Sequence, residues 1–195
     1  MTAIDEADLS NLTRLTSMFE NATAFDAAID HWDVSGIEYF SAMFRGATSF
    51  DQTLSSWELT SAQYLNSMFQ DATSFNQDVS SWGVSTVTTM SFMFSGATSF
   101  DQNLGGWDIS GVTNLSGMLD NSGMSTVNYD ATIEGWAALG TLNSSLTIGV
   151  SGLNYCDSYY ARQSIVNDYS WWFNGDNLEC QGAFITTWKT DNPGV

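Results

Sequence analysis

Residues 82–106 read WGVSTVTTMSFMFSGATSFDQNLGG, and residues 32–56 read WDVSGIEYFSAMFRGATSFDQTLSS. The two segments share Trp, Met-Phe and Gly-Ala-Thr-Ser-Phe at equal positions. The same step of 25 residues relates Trp32, Trp57, Trp82 and Trp107, and Met-Phe pairs begin at residues 18, 43, 68 and 93. Five copies therefore start at residues 7, 32, 57, 82 and 107. A fixed period of this length is typical of solenoids, in which each copy buries its apolar face against its neighbours.

The apolar positions recur within each copy. The third copy has them at Leu59, Ala62, Leu65, Met68, Phe69, Ala72, Phe75 and Val79. The short segment 87–90, Val-Thr-Thr-Met, is rich in β-branched residues, which favours a strand. The pattern therefore predicts a β-rich (α+β) solenoid of about five coils, with one short parallel strand in each coil.

Charge and hydrophobicity restrict the possible partners. The chain of 195 residues has 22 Asp and Glu against 4 Lys and Arg, a net charge of -18, and 43% of its residues are hydrophobic. The hydrophobic content is sufficient for a packed core. The negative charge argues against nucleic acid and anionic membranes as partners. No apolar run approaches the roughly 18 residues of a membrane span, so we expect no direct membrane insertion.

The copies quoted above resemble the BspA-like leucine-rich-repeat surface proteins of bacteria. The repeat of that family reads approximately W-D-V-S-x-V-x-x-M-x-x-M-F-x-x-A-x-x-F-N-Q-D-L-S, and the resemblance covers residues 7–125. It implies a leucine-rich-repeat-like fold and a position at the cell surface. The chain departs from the pattern at Ala7, at Ala27-Ala28 and at Leu119. These departures lie near the ends of the array, where capping copies are usually atypical.

The C-terminal third is predicted to cap the array, because the last coil would otherwise expose an apolar edge. Residues 129–176 resemble the segment that closes such repeats in bacterial surface proteins. Apolar spacing predicts helices over 128–139 and 157–168, the second with Asp157 as its N-cap. We divide the chain into a repeat solenoid (7–125), a cap (126–182) and a last segment (183–195). That last segment either begins a further module, as its resemblance to one implies, or forms a tail.

Cys156 and Cys180 are the only cysteines. A disulfide between them is expected in the cap of a secreted protein, and the alternative is two reduced thiols packed as small hydrophobes. A disulfide would indicate an oxidising compartment. Residues 1–11 do not have the pattern of a secretory signal, so an extracellular location requires a signal outside this sequence.

The sequence offers few groups for catalysis. His31 is the only histidine, and it occupies a position where other copies have Ser or Gly. We therefore interpret it as a surface substitution rather than a catalytic base. No Cys or His pair has the spacing of zinc ligands. We predict that the protein is not an enzyme.

A column of acidic and amide residues is the candidate metal site. It consists of Asp26, Asp51, Asn76 and Asp101, at equal positions in four copies. Stacking would bring Asp26 and Asp51 about 5 Å apart, where the two charges repel. Either each side chain accepts hydrogen bonds from the backbone of its own turn, which we favour, or Ca²⁺ bridges them. We expect no obligatory cofactor, with Ca²⁺ as the one possibility.

A second column, Thr23, Thr48, Thr73 and Thr98, raises the alternative of an ice-binding face. A flat hydroxyl face would need a second outward column. The neighbouring serines should point elsewhere, and Ala24 interrupts their series. Hydrogen bonding within the turns is the favoured role for these threonines.

The exposed sheet face is the candidate ligand surface. Most of its residues are small and polar, but Tyr39, Tyr64 and Phe92 add aromatic rings, with Glu38 and Gln63 beside them. Such rings on a hydrophilic face are typical of contact sites, although they could instead shield the sheet edge or pack on one another. We predict a non-catalytic, monomeric binding or adhesion module of a bacterial surface protein that recognises a protein or a glycan. The alternatives are a Ca²⁺-stiffened spacer and an ice-binding solenoid.

Overall fold

The computed structural model describes residues 8–180. In chain order its elements are α1 (Thr126–Ala138), β1 (Thr147–Gly149), β2 (Asn154–Tyr155), α2 (Tyr159–Tyr169), β3 (Trp172–Asn174) and β4 (Asn177–Leu178). Strand β1 pairs in parallel with β3, and β2 pairs in parallel with β4. Residue 7, the end of the predicted cap (181–182) and the predicted last segment (183–195) lie outside the described residues. Neither described helix is long and apolar enough to cross a bilayer.

The prediction of a β-rich, leucine-rich-repeat-like solenoid with one parallel strand in each coil is wrong. The structure has two helices and four short strands in two two-stranded sheets, and all six elements lie after residue 125. Between residues 8 and 125 the chain forms turns, and neighbouring copies are joined by isolated single-residue bridges. The β-branched segment 87–90 does not form a strand.

Left-handed residues explain why the repeats form turns. The second copy has Ala42 at φ 57° and Gly46 at φ 67°, four residues apart, and the other copies repeat this pair of left-handed positions. A positive φ ends an extended segment, since L-residues enter that region one at a time. At Gly46 the side chain of Asn21 from the preceding copy fills the space beside the backbone, since a Cβ there would lie 2.5 Å from Asn21 Oδ1. The chain therefore turns before a second ladder pair can form.

Backbone hydrogen bonds nevertheless hold successive copies side by side. Leu15 N donates to the Tyr39 carbonyl at 2.9 Å, and Ser17 N donates to the Ser41 carbonyl at 3.0 Å. In the opposite direction Glu38 N donates to the Thr13 carbonyl at 2.9 Å. Later copies repeat these bonds, so the copies are aligned at a step of 25 residues.

Rows of aromatic rings fill the space between the copies. Trp57, Trp82 and Trp107 are buried, with ring centroids 6.4 and 6.5 Å apart. The indole nitrogen of Trp82 donates to the Leu54 carbonyl at 3.1 Å, which satisfies its one polar group. A second buried row consists of Phe44, Phe69 and Phe94. Because each ring contacts the copies on both sides, neither row can be buried by a single copy.

Helix α1 continues these contacts beyond the repeats. Its N-cap, Ser125, accepts a hydrogen bond from Asn128 N. The Trp136 indole donates to the Leu104 carbonyl at 3.0 Å, as repeat tryptophans do to the copy before them. The Thr132 hydroxyl accepts from Leu104 N at 2.9 Å. The predicted helix over 128–139 thus corresponds to α1, and it covers the last copy.

The rest of the C-terminal region is held by contacts that occur once. The predicted disulfide between Cys156 and Cys180 is confirmed. The buried Asp130 carboxylate of α1 accepts from the backbone N–H groups of residues 156, 157 and 158 at the start of α2. Asp157, predicted to be the N-cap of α2, is not; the N-cap is Ser158, whose side chain makes no capping bond. Asp130 supplies the carboxylate from a different helix.

A buried polar cluster links both helices to the segment between β3 and β4. Arg162 of α2 donates two hydrogen bonds to the Asp176 carboxylate, both at 2.9 Å. The Tyr129 hydroxyl of α1 donates to the same carboxylate at 2.8 Å. The Arg162 guanidinium also lies over the rings of Tyr155 and Phe173. The buried carboxylate is therefore paired and hydrogen-bonded, which offsets the cost of its burial.

Candidate functional site

One row of outward-facing residues runs along the whole described structure. Parallel bridges join Arg14 to Tyr39, Tyr39 to Tyr64, Tyr64 to Thr89 and Thr89 to Asn114. The Leu115–Ile148 bridge is also parallel and places Asn114 opposite Thr147, which pairs with Trp172. We call this set the outward row: Arg14, Tyr39, Tyr64, Thr89, Asn114, Thr147 and Trp172. The residue after each of them is buried, so the row itself faces outward.

Tyr39 and Tyr64 form a stacked pair within the outward row. Their ring centroids are 4.5 Å apart and their planes differ by 8°. The Arg14 guanidinium lies 3.7 Å from the centroid of the Tyr39 ring, on a row that is otherwise uncharged. Both tyrosines are half-buried. Arg14 covers one face of the Tyr39 ring and Tyr64 covers the other, so the pair is held in place and presents ring edges and hydroxyl groups to solvent.

Glu38 and Gln63 flank the tyrosines through the backbone. The Glu38 carbonyl accepts from Gln63 N at 2.9 Å and from Tyr64 N at 3.2 Å. Both side chains are half-buried, and within the described residues neither makes a side-chain hydrogen bond. Their polar ends are available beside the ring pair. The structure thus brings four of the five predicted ligand residues together.

Phe92 is the fifth predicted ligand residue, and its ring lies elsewhere. It has a left-handed backbone, φ 56°, and its side chain is 44% exposed. A Cβ at Gly117 would lie 2.3 Å from the Phe92 ring, so the ring covers the following copy. Within residues 8–180 it makes no stacking contact with either tyrosine. Phe92 therefore does not extend the tyrosine pair.

Trp172 was missed by the sequence analysis. Its side chain is 66% exposed, whereas Trp171 and Phe173 on either side are buried. This alternation of exposed and buried residues is the period of a strand with one solvated face. The signal was present in the sequence as Trp-Trp-Phe at 171–173. The register that places Trp172 in line with the tyrosines was not visible there.

The acidic column is held by hydrogen bonds between copies. Asp51 Oδ1 accepts from Asn76 N at 2.9 Å and from Gln77 Nε2 at 2.9 Å. Asn76 Oδ1 makes the same two bonds, with Asp101 N at 2.8 Å and with Gln102 Nε2 at 2.8 Å. The donors belong to the next copy rather than to the residue's own turn. Within residues 8–180 no group of three or more His, Cys, Asp or Glu side chains could hold a metal ion.

The threonine column also forms hydrogen bonds between neighbouring copies. The Thr48 hydroxyl donates to the Thr23 carbonyl at 3.4 Å, and the Thr73 hydroxyl donates to the Thr48 carbonyl at 3.4 Å. Thr98 repeats the contact at 3.5 Å. These bonds are long and weak. They direct the hydroxyl hydrogens toward the preceding copy.

His31 lies in a groove of about 650 Å³ lined mostly by polar side chains. Two lining serines are hydrogen-bonded to carboxylates: Ser35 Oγ to Asp33 at 2.7 Å, and Ser56 Oγ to Asp30 at 2.8 Å. Nucleophilic catalysis needs a hydroxyl hydrogen-bonded to the base. In the described part of the chain no such bond to His31 is present.

Comparison with known families gives one match. A family model described as "Mycoplasma protein of unknown function, DUF285" matches residues 1–86 and residues 65–139. Together the two matches span more than half of the chain. The chain belongs to the DUF285 family. No curated protein and no solved structure matches it.

The DUF285 matches include part of the outward row. They contain Tyr39 and Tyr64 and end at residue 139, one residue after α1. Trp172 and the disulfide lie beyond the matched residues. The tyrosine pair therefore belongs to the DUF285 repeats, and Trp172 belongs to the segment that follows them.

Proposed function

We propose that this DUF285 protein is a non-catalytic binding module of a bacterial surface protein, and that it recognises its partner through the outward row. The observation that carries the proposal is the stacked, solvent-accessible pair of Tyr39 and Tyr64. Aromatic side chains provide much of the binding energy at protein surfaces. The resemblance of the repeat to that of the BspA-like surface proteins supports the same placement.

The backbone beneath the tyrosines is fixed before a partner arrives. The Tyr39 carbonyl accepts from Leu15 N at 2.9 Å, and the Tyr64 carbonyl accepts from Phe40 N at 2.9 Å. The rings also restrict each other by stacking. A surface that is already ordered loses little conformational entropy on binding. This preorganisation favours a binding role over the alternative that the rings only shield an edge.

One further feature supports a place outside the cell, and another bears on the partner. The Cys156–Cys180 disulfide is the kind of bond that persists in oxidising compartments. The net charge of -18 disfavours anionic partners and favours neutral or cationic ones. The isolated module is proposed to be monomeric.

The test is the double substitution Tyr39→Ser and Tyr64→Ser. Wild-type and variant proteins would be applied to immobilised extracellular-matrix proteins and to a panel of immobilised glycans, with binding followed by surface plasmon resonance. We expect the wild type to bind at least one ligand and the variant to lose most of that binding. The variant should remain folded, with its unfolding free energy lowered by about 1–2 kcal/mol through the loss of the half-buried ring pair.

Tyr160→Ser is the matched control. Tyr160 is also an exposed ring, but it belongs to α2 rather than to the outward row. It should leave binding unchanged. Equal binding by the wild type and the double variant would show that the outward row is not the contact surface. Absence of any binding by the wild type would overturn the binding function and would leave the spacer alternative as the better description.

A further inference from the structure

We infer that the outward row binds one neutral glycan chain laid along the stack of copies, with Tyr39 and Tyr64 holding one end and Trp172 the other. This inference rests on the proposed function and adds its ligand class and its second contact point. It starts from Trp172, whose indole is 66% exposed on a paired strand. Trp and Tyr are enriched at interfaces, where one end of the ring is apolar and the other is in contact with water.

The separation of the two aromatic ends fits a short polymer. Four steps of the row lead from Tyr64 to Trp172, through Thr89, Asn114 and Thr147. Paired strands lie about 4.8 Å apart, so the rings are about 19 Å apart. In an extended hexose chain each sugar advances by nearly the length of one step. A chain of roughly four to five sugars therefore reaches from the tyrosine pair to Trp172.

The surface between the rings is polar and uncharged. Thr89, Asn114 and Thr147 lie in the row itself, and Asn66, Ser91 and Ser116 lie two residues after row positions. The Asn66 side chain accepts from the Ser91 hydroxyl at 2.9 Å, and Asn114 accepts from Ser116 N at 3.0 Å. Each asparagine thus uses its carbonyl oxygen within the protein. Their amide N–H groups make no hydrogen bond within residues 8–180 and can donate to sugar hydroxyls.

The backbone argues for a glycan rather than a peptide. Extended peptides usually bind a sheet by hydrogen bonding to free backbone groups at its edge. At the tyrosine end of the outward row these groups are already used: Tyr39 N bonds to Thr13 and Tyr64 N to Glu38, and the Tyr64 carbonyl accepts from Phe40 N. A ligand at this end must therefore bind through side chains. Rings, hydroxyls and amides without a charge suit the apolar faces and hydroxyl groups of a neutral sugar chain.

The experiment measures affinity against chain length. Linear neutral oligosaccharides of two to eight sugars, from glucan, mannan and galactan series, would be titrated into the whole protein by calorimetry, with heparin fragments as the anionic comparison. We expect binding in at least one neutral series, an affinity that rises up to about five sugars and then levels, and no binding of heparin fragments.

The variant Trp172→Ala tests the two ends of the outward row separately. It should lower the affinity for the longest oligosaccharide by about tenfold, as expected for the loss of one aromatic contact. Disaccharides that occupy the tyrosine end should bind the variant as they bind the wild type. Tyr160→Ala should change neither affinity.

Each outcome decides the inference separately from the proposed function. If no neutral oligosaccharide binds, or if Trp172→Ala has no effect on the longest one, the inference is wrong. If in that case an immobilised protein still binds and requires Tyr39 and Tyr64, the proposed function stands with a protein as its partner. If the tyrosine variant changes no binding at all, both fail.

Discussion

The repeat region (8–125) and the C-terminal region (126–180) are stacked in the same direction, but different contacts hold them. In the repeats one set of contacts recurs every 25 residues, such as the indole bonds of Trp57, Trp82 and Trp107 to the preceding copy. The C-terminal region adds contacts that occur once: a disulfide, the Asp130 carboxylate and the Arg162–Asp176 pair. Repetition distributes stability over many equal contacts, and the C-terminal region depends on a few unequal ones.

This difference affects how each region responds to a mutation. A residue in a repeated row has neighbours on both sides that cannot close the space it leaves, because they are held by their own copies. A mutation in the C-terminal cluster instead removes a hydrogen-bonding partner from a buried charge. The first loss is one of packing and the second is one of polar pairing, so they should differ in size and in pH dependence.

The largest expected effect is that of Trp82→Ala. Trp82 is 3% exposed and lies between Trp57 and Trp107. We expect a loss of about 3–5 kcal/mol in the free energy of unfolding, because a cavity remains between copies that cannot collapse. Denaturant titration measures it. Trp32→Ala is the control. Because Trp32 is only half-buried, its replacement should lower the free energy of unfolding clearly less. Equal losses for the two variants would show that position in the row does not matter.

Loss of the disulfide is expected to have the next largest effect. Cys156→Ser with Cys180→Ser should lower the free energy of unfolding of the C-terminal region by about 3.5 kcal/mol, according to the chain-entropy argument for a loop of this length. The effect should be local, since the bond joins only the last 25 residues described. Hydrogen exchange should increase at β4 and remain unchanged near Trp82. Equal loss of protection in both regions would contradict the separation drawn above.

The sequence was sufficient for contacts that recur and, apart from the Cys156–Cys180 disulfide, insufficient for those that occur once. The spacing of Trp82 and its equivalents predicted the buried row, and the apolar spacing at residues 129, 133 and 136 predicted α1. The prediction of a strand in each coil was wrong. Strand propensity is a property of single residues, whereas a strand needs consecutive residues that pair with a neighbour. The left-handed pair at Ala42 and Gly46 prevents these pairs.

Tyr129→Phe tests the pH dependence of the C-terminal cluster. Burial, followed by the nearby Asp176 carboxylate, raises the pKa of Tyr129 well above its ordinary value of 10.0. The folded protein then keeps a proton that the unfolded chain releases, so stability is complete below pH 10 and falls as the pH rises above it. The variant should lose about 2 kcal/mol at neutral pH, the contribution of a hydrogen bond to a charged group.

The pH dependence of stability at alkaline pH distinguishes the loss of a titrating group from a loss of packing alone. Between about pH 9.5 and 11 the stability of Tyr129→Phe should fall less steeply than that of the wild type. Some dependence should remain, because burial also raises the pKa of Tyr155. Parallel curves for the two proteins would show that folding does not raise the pKa of Tyr129. Thermal unfolding followed by circular dichroism at each pH makes the measurement.

The candidate site was predictable to the same extent as the fold. Tyr39 and Tyr64 were found because they occupy one position in consecutive copies. Trp172 was not found, because its alignment with them passes through Leu115 and Ile148, and the step between these two residues is 33 rather than 25. Where the repeat period changes, the spacing in the sequence no longer predicts which residues lie side by side. Asp176 was missed for the same reason, since its partners Tyr129 and Arg162 are distant in sequence and follow no repeat.

Asp51→Asn should have the smallest effect, and it tests the acidic column of the repeats. The repeats contain their own precedent: Asn76 stands at the equivalent position and makes the same bonds to the next copy that Asp51 makes. An amide oxygen can therefore replace the carboxylate oxygen, and we expect the free energy of unfolding to change by less than about 1 kcal/mol. Asp51→Ala, which removes the acceptor, should cost more, about 0.5–1.5 kcal/mol, the net contribution of a typical hydrogen bond. Both variants and the wild type would be unfolded with Ca²⁺ and with a chelator. If amide donors alone hold the column, Ca²⁺ should shift none of the three midpoints. A midpoint that rises with Ca²⁺ in the wild type and not in Asp51→Asn would show instead that a cation bridges these carboxylates, and would restore the spacer alternative for the repeats.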